Sequence, residues 1–170
     1  MKELNKIKEL FDDFIKEAEK LVEVKSDIQL EDNNFKVDSD GWKKITVDGE
    51  EYLENKEKDI WEILDKEARG EQLFTFKAMK RETEKAGKRV PTNEEFDEIL
   101  KEKDDIPNLV LSGYRSTDGT FNYLGTDAYF WSSSEAGTSA WRRNLGYTGS
   151  TVNRGADDQA LGFSVRCLKD

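Results

Sequence analysis

The chain has 170 residues, a modest hydrophobic fraction and a net charge of −10. This length suits one domain with a core of its own. The acidic balance and the lack of a Lys and Arg cluster argue against nucleic acid as a partner, because phosphate contacts need such clusters. Since no apolar run approaches the ~20 residues that span a bilayer, we expect no membrane insertion. The single cysteine excludes an intrachain disulfide.

Charge divides the chain into two parts. Residues 1–105 hold 21 Lys and Arg against 31 Asp and Glu, whereas residues 106–170 hold 6 of each. We expect mainly solvated helices in the first part, and sheet with loops in the second, which is rich in Gly, Ser and Thr. Charges interrupt the first residues every few positions, so we expect synthesis in the cytoplasm without a signal peptide. Association with a virus particle and export by a non-classical route stay open.

Residues 1–25 predict an amphipathic helix that is separate from a domain at 26–170. Its apolar residues recur at alternating spacings of three and four, at Leu4, Ile7, Phe11, Phe14, Ala18 and Leu21. This stripe has a length of about three heptads, the minimum for a coiled coil. We therefore expect the helix to pack on its own domain in a monomer. Oligomerisation through the helix is the less favoured alternative.

Turn signals divide the residues that follow. Asp48-Gly49 between WKKITV and EEYL predicts a β-hairpin. The next apolar residues predict one face of a helix that ends at Gly70. These residues are Ile60, Trp61, Leu64 and Ala68. The LFTF run after them predicts an extended segment. A second helix is predicted from about Phe76 to Ala86.

The clearest helix start in the chain comes next. Thr92 and Glu95 fit a capping box, in which each side chain accepts a hydrogen bond from the backbone N–H of the other residue. The side chains that would then face the core are Phe96, Ile99 and Leu100. Further along, Asp118-Gly119 predicts a second hairpin.

The C-terminal stretch from Trp131 to Cys167 alternates with the period of a strand, which gives each strand one buried and one exposed face. The residues expected to hold the sheet from the buried side are Trp131, Trp141, Leu145, Tyr147, Phe163, Val165 and Cys167. Those expected on the exposed side are Arg142, Asn144, Gly146, Thr148, Ser164 and Arg166. Packing would then fix the framework while the displayed residues vary, which is typical of a binding surface.

Three segments in order carry a family resemblance: RVPTNEEFDEIL, SGYRSTDGTFNYLG and the stretch from Trp131 to Cys167. Together they resemble the C-terminal half of the Fibrobacter succinogenes major paralogous domain and the variable proteins of diversity-generating retroelements. The resemblance implies an α+β structure with the C-type lectin-like fold, in the variant shared with formylglycine-generating enzymes. Helices would pack on a small twisted antiparallel sheet. It also implies a ligand-binding protein, with a hypervariable segment at 131–167 that recognises a protein or cell-surface ligand.

In that family, many variable positions are Asn in a template copy, and mutagenesis acts at adenines. An AAC codon changed only at its adenines can encode Ala, Gly, Thr, Ser, Arg, Asp or Leu, and the candidate positions hold these residues or Asn. The candidate variable positions are Ala136, Gly137, Thr138, Ser139, Arg142, Asn144, Gly146, Thr148, Gly149, Thr151, Asn153, Gly155, Ala156, Asp157, Asp158, Ala160 and Leu161. Most are small, the exposed Tyr and Trp that usually dominate binding are lacking, and only Arg142 is an obvious anchor. We therefore expect weak binding by this variant, or binding to a small concave feature.

The sequence offers few residues that could support catalysis or bind a metal. The chain has no His, the commonest general base and metal ligand. Formylglycine-generating enzymes need a cysteine pair, whereas Cys167 is alone and expected to be buried. The triplets of calcium-dependent lectins are missing from the sequence, and Glu135, Asp157 and Asp158 are expected to be solvated loop acids. We therefore expect no enzyme, no cofactor and no metal. A structural or surface-display module of fixed sequence, in a virion or an adhesin, is the alternative function.

Overall fold

A computed structural model describes residues 2–25, 28–31, 35–37, 40–102, 106, 108–147 and 152–169. Within these ranges the helices are α1 (Lys2–Lys25), α2 (Phe76–Lys85) and α3 (Asn93–Glu102). The strands are β1 (Lys43–Val47), β2 (Glu50–Asn55), β3 (Ile60–Ile63), β4 (Gln72–Phe74), β5 (Ser112–Arg115), β6 (Phe121–Leu124), β7 (Asp127–Ala136), β8 (Ser139–Gly146) and β9 (Asn153–Asp158). They form one sheet in the order β1-β2-β3-β4 and another in the order β6-β5-β7-β8-β9. The α+β prediction is confirmed.

The first sheet is antiparallel and begins with the predicted hairpin. Asp48 and Gly49 both have positive φ, 50° and 85°, as the turn of a two-residue hairpin requires. The helix predicted from Ile60 onwards is wrong, because residues 60–63 are strand β3 between β2 and β4. Both faces of this strand are covered, so Ile60 and Trp61 are both buried although they point in opposite directions. A short apolar run of this kind does not distinguish a helix from a buried strand.

The second sheet is mixed, whereas an antiparallel sheet was expected. Its β5–β7 pair is parallel and the other pairs are antiparallel. The hairpin predicted at Asp118-Gly119 joins β5 to β6. Gly113 in β5 has φ +59°, and a Cβ there would lie 2.0 Å from the backbone oxygen of Asn122. Only glycine therefore allows β5 and β6 to approach so closely.

Helices α2 and α3 start where the sequence predicts. Thr75 caps α2 by accepting a hydrogen bond from the backbone N–H of Ala78 at 3.2 Å. The capping box of α3 is present, with the N–H of Thr92 donating to Glu95 at 2.8 Å and the N–H of Glu95 donating to Thr92 at 3.2 Å. As predicted, Phe96 and Ile99 are buried, and Leu100 packs partly against the same core cluster.

The segment Gly162–Leu168 lies between the two sheets. Its Phe163 exchanges backbone hydrogen bonds with Phe74 of β4 at 2.8 and 3.0 Å, and its Ser164 bonds to β7 on the other side. The prediction that Phe163, Val165 and Cys167 are buried is confirmed.

Ser164 and Arg166 were predicted to point into solvent, and this is wrong, since both are fully buried. Because the segment has neighbours on both sides, it leaves no solvent face. The Ser164 hydroxyl hydrogen-bonds that of Ser112 at 2.9 Å. The Arg166 guanidinium donates to Glu71 at 2.8 Å and lies 5.0 Å from the Phe130 ring centroid.

Helix α1 forms as predicted, but its described side chains, at residues 4–17, are exposed. The exposed fractions of its described apolar side chains range from 40% at Ile15 to 72% at Leu4. For Leu4, Ile7, Phe11 and Phe14 the expectation of packing on the domain is therefore wrong. The side chains of Ala18 and Leu21 lie outside the described part of the chain. None of the described helices is apolar enough over a sufficient length to cross a bilayer. The division into residues 1–25 and 26–170 stays a prediction.

We expect Arg166→Met to lower the free energy of unfolding by about 3–5 kcal/mol, because it deprives the buried Glu71 carboxylate of a cation. Urea unfolding followed by tryptophan fluorescence measures the change. Arg154→Met is the matched control: Arg154 is exposed and lies 3.4 Å from Asp97, so its loss should cost less than about 1 kcal/mol. Equal losses in both variants would contradict the structural role of the Arg166–Glu71 pair.

Candidate functional site

Strands β7, β8 and β9 present two faces with different surroundings. Tyr129 pairs with Asn144, and Arg142 pairs with Gly155, so these residues come together on one face. Trp141, Arg143 and Leu145 project to the other face, towards α3. The predicted alternation of sides along β8 is therefore confirmed. We call the first surface the Arg142 face, and it consists of Tyr114, Tyr123, Tyr129, Arg142, Asn144, Gly155 and Asp157.

Arg142 is at the centre of this face. Its Nε donates to the Asp157 carboxylate at 2.6 Å, and its Nη1 donates to the Asn144 side-chain oxygen. Its guanidinium carbon lies 5.4 Å from the centroid of the Tyr129 ring, a cation–π distance. Arg142, Asn144 and Asp157, three of the candidate variable residues, are thus joined in one hydrogen-bonded group. All three are half-buried, so they form a shallow polar surface with accessible edges.

Three tyrosines extend this surface beyond the segment 131–167. Tyr114 lies 5.1 Å from Tyr129 and 6.0 Å from Tyr123 between ring centroids. The Phe163 ring packs against Tyr114 and Tyr129 from the core side. Burial raises the pKa of the Tyr114 and Tyr129 hydroxyls above the usual range of tyrosine, so both are protonated at neutral pH. Each can donate and accept hydrogen bonds beside Arg142.

The expectation that this variant displays few aromatic anchors is wrong. Tyr123 is 56% exposed and Tyr147 is 77% exposed. Tyr147 was assigned to the buried framework from its position in the alternation, but β8 ends at Gly146, before it. Tyr114 and Tyr123 were missed as site residues because they precede the C-terminal stretch and reach it only through the β5–β7 pairing. The sequence pattern that could have identified Tyr114 and Tyr123 as site residues is the alternation of side chains in the short strands SGYR and FNYL.

The opposite face holds the framework in place. Leu145 is buried, as predicted, whereas Trp141, which was also predicted to be buried, is only half-buried. Arg143 was not predicted there, yet it is only 1% exposed. It donates to the Asn93 side chain at 2.8 Å and to Asp97 at 2.7 Å, which joins β8 to the start of α3. Burial lowers the pKa of the Arg143 guanidinium, and the neighbouring Asp97 opposes that shift.

The remaining candidate positions do not converge on Arg142. Those at or beside the β7–β8 turn are Ala136, Gly137, Thr138 and Ser139, with Asp158 paired to Ser139. Gly146 and Asn153 lie at the far end of the strands, and Ala156 pairs with Trp141. Leu161 packs partly against the main core cluster. Thr148, Gly149 and Thr151 lie outside the described residues.

Asp158 and Ala160 line a separate cleft of about 520 Å³. The cleft also contains Trp61, whose indole N–H donates to Glu54 at 2.8 Å. The Arg115 guanidinium carbon lies 4.1 Å from the Trp61 ring centroid. The predicted positions therefore fall into a central group on the Arg142 face and outlying groups at the strand ends and the cleft.

Two of the acids considered for a cation site each bind a different basic side chain. Asp157 binds Arg142, and Glu135 binds the Lys80 ammonium at 3.0 Å. Within the described part of the chain, no three acids, cysteines or histidines are grouped as metal ligands. Cys167 is fully buried in the main core cluster, as predicted for an apolar role.

The chain matches no protein-family model, no curated protein and no solved structure. The resemblance described above thus stays a prediction.

Gly155 determines where the Arg142 guanidinium can lie. A Cβ at this position would come within 2.8 Å of the guanidinium carbon. We expect Gly155→Ala to displace Arg142 from Asp157. A double-mutant cycle of Arg142→Ala and Asp157→Ala should give a coupling energy of about 1 kcal/mol in the native chain. In the Gly155→Ala background it should fall below about 0.3 kcal/mol, within the error of such cycles.

Urea unfolding of the variants measures both couplings. Ala156→Ser, on the same strand, is the matched control background and should leave the coupling unchanged. A coupling that persists in the Gly155→Ala background would show that Arg142 does not depend on the space above Gly155.

Proposed function

We propose that the protein is a non-catalytic ligand-binding protein that displays a variable surface on a C-type lectin-like fold, diversified by a retroelement. The observation that carries the proposal is the position of Arg142, Asn144 and Asp157. These candidate variable residues meet on one half-exposed face, while Arg143 and Leu145 of the same strand are buried against the rest of the domain.

The framework and the displayed residues use different contacts. Arg143 is held by Asn93 and Asp97 of α3. Among the described residues, Arg142 bonds along the sheet to Asn144 and Asp157 and stacks on Tyr129. Changing residues on the Arg142 face therefore leaves the contacts between the sheet and α3 intact. A recognition surface that varies in sequence needs this separation.

The chemistry of the face suits a protein ligand. Tyr and Arg are the residues that most often dominate binding energy at protein interfaces, because they combine a large contact area with polar groups. Here Tyr129 lies against the Arg142 guanidinium, Tyr114 and Tyr123 lie beside Tyr129, and Asn144 adds both a donor and an acceptor. The aromatic part of this surface is outside the candidate variable positions. We infer that it supplies a constant contact area, while the variable positions set specificity.

We expect a library randomised at Arg142, Asn144, Gly155 and Asp157 to keep most clones folded and to contain binders of arbitrary proteins. The clones would be displayed on yeast and scored for protease resistance, and then sorted on streptavidin and lysozyme. The control library randomises Trp141, Arg143, Leu145 and Arg154 of the same two strands and should lose most folded clones. Equal loss of folded clones in the two libraries would contradict the proposed division of faces.

Gene sequences from sibling genomes test the diversification itself. We expect substitutions confined to the candidate positions, with a near-copy of the segment and a reverse transcriptase gene nearby. An even spread of substitutions along the chain would instead support the structural or surface-display module of fixed sequence.

A further inference from the structure

Over residues 4–17, where its side chains are described, helix α1 presents an exposed apolar stripe. Leu4, Ile7, Phe11 and Phe14 are each more than 60% exposed. Contiguous exposed apolar surface of this kind marks an interaction site in a water-soluble protein. The stripe is therefore a docking surface, and the spacing and charge of its residues identify the partner.

The spacing fits another copy of the same helix. With Leu4 and Phe11 at the a positions of a heptad and Ile7 and Phe14 at the d positions, the residues recur every three and four positions. The sequence continues this register at Ala18 and Leu21. Such a repeat keeps one seam facing a partner helix over its whole length, because the partner has the same repeat.

The charges of α1 disfavour a lipid surface as the partner. Helices that bind membrane surfaces carry mainly Lys and Arg on their polar side, which attract anionic lipids. The sequence of α1 contains 6 Lys and 7 Asp or Glu. A helix with this mixed and slightly acidic composition gains no electrostatic attraction from an anionic bilayer. A mixed-charge polar side is typical of a coiled coil instead.

The residues beside the seam select a parallel arrangement. Leu10 is at a g position and Ile15 is at the following e position, and both are exposed and apolar. In a parallel pair, a g residue contacts the e residue of the next heptad in the partner, so Leu10 would contact Ile15. An antiparallel pair with the same seam would place Leu10 against Glu17. Only the parallel arrangement buries apolar side chains against each other at these positions.

We infer that the chain self-associates through α1 as a parallel helical bundle. The inference rests on the helix alone and does not depend on the proposed function. Because parallel helices place the domains that follow them at the same end, the assembly presents several Arg142 faces together. Linked copies of one site raise the apparent affinity for a surface-bound ligand without any new contact.

Sedimentation equilibrium of the full chain tests the association. We expect a mass that is a multiple of 19.6 kDa and that falls on dilution. The double variant Phe11→Glu, Phe14→Glu should sediment at 19.6 kDa at every concentration, because charges in the seam prevent its burial. The matched control Lys6→Glu, Lys16→Glu places glutamates at outward positions and should remain associated. A native chain of 19.6 kDa at millimolar concentration would overturn the inference, as would dissociation of the control variant alone.

Disulfide trapping tests the orientation. Ile7→Cys places a thiol in the seam, where parallel helices bring it next to its own copy. In the antiparallel arrangement position 7 faces position 18, so two copies of Cys at position 7 would be about 16 Å apart along the axis, too far to bond. We expect oxidation to yield a covalent dimer of Ile7→Cys and none of Glu9→Cys, which points outwards. The native Cys167 is fully buried and does not interfere. Failure of Ile7→Cys to cross-link while the chain stays associated would overturn the parallel arrangement.

Discussion

The rest of the structure depends on the burial of one extended segment between two sheets. Gly162, Phe163 and Ser164 form backbone hydrogen bonds with β5, β4 and β7 in turn, so three strands from distant parts of the chain meet there. The Phe163 ring then packs against Trp131 and beneath the tyrosines of the Arg142 face. Because backbone polar groups in a dry core must be paired, the geometry of this segment fixes how the sheets lie together. The Arg142 face therefore rests on the segment Gly162–Leu168.

Two adjacent arginines illustrate how the fold separates structure from recognition. Arg143 is enclosed by α3 and has its charge balanced by Asp97, so any replacement leaves buried polar groups of the helix unpaired. Arg142, one residue earlier, bonds to groups that are themselves displayed, and its loss exposes them to water. Strand alternation gives neighbouring residues opposite environments. Around Arg142 the sheet is covered by α3 on one side and is only half-buried on the other, so that part of it is suited to carry changing residues.

The sequence predicted the parts of the fold that local chemistry specifies. The hairpin at Asp48-Gly49 and the capping box of Thr92 and Glu95 formed because their residues satisfy a local backbone geometry in almost any context. The alternation of sides along β8 was also predictable, since the strand period is invariant. The helix expected at Ile60 failed because burial on both faces removes the periodicity that identifies a strand.

Which residues are near one another in space was decided by the tertiary structure alone. Tyr114 and Tyr123 belong to the Arg142 face only because β5 pairs with β7, a contact that no local pattern encodes. Arg166 and Ser164 are at positions that the strand alternation predicts to be exposed, yet neighbours on both sides bury them. The sequence by itself determined the alternation along β8, the capping box of α3 and the turns at Asp48-Gly49 and Asp118-Gly119, whereas the candidate variable positions stay a prediction. Burial is a property of the neighbours that a residue acquires on folding, so only the folded chain could assign it.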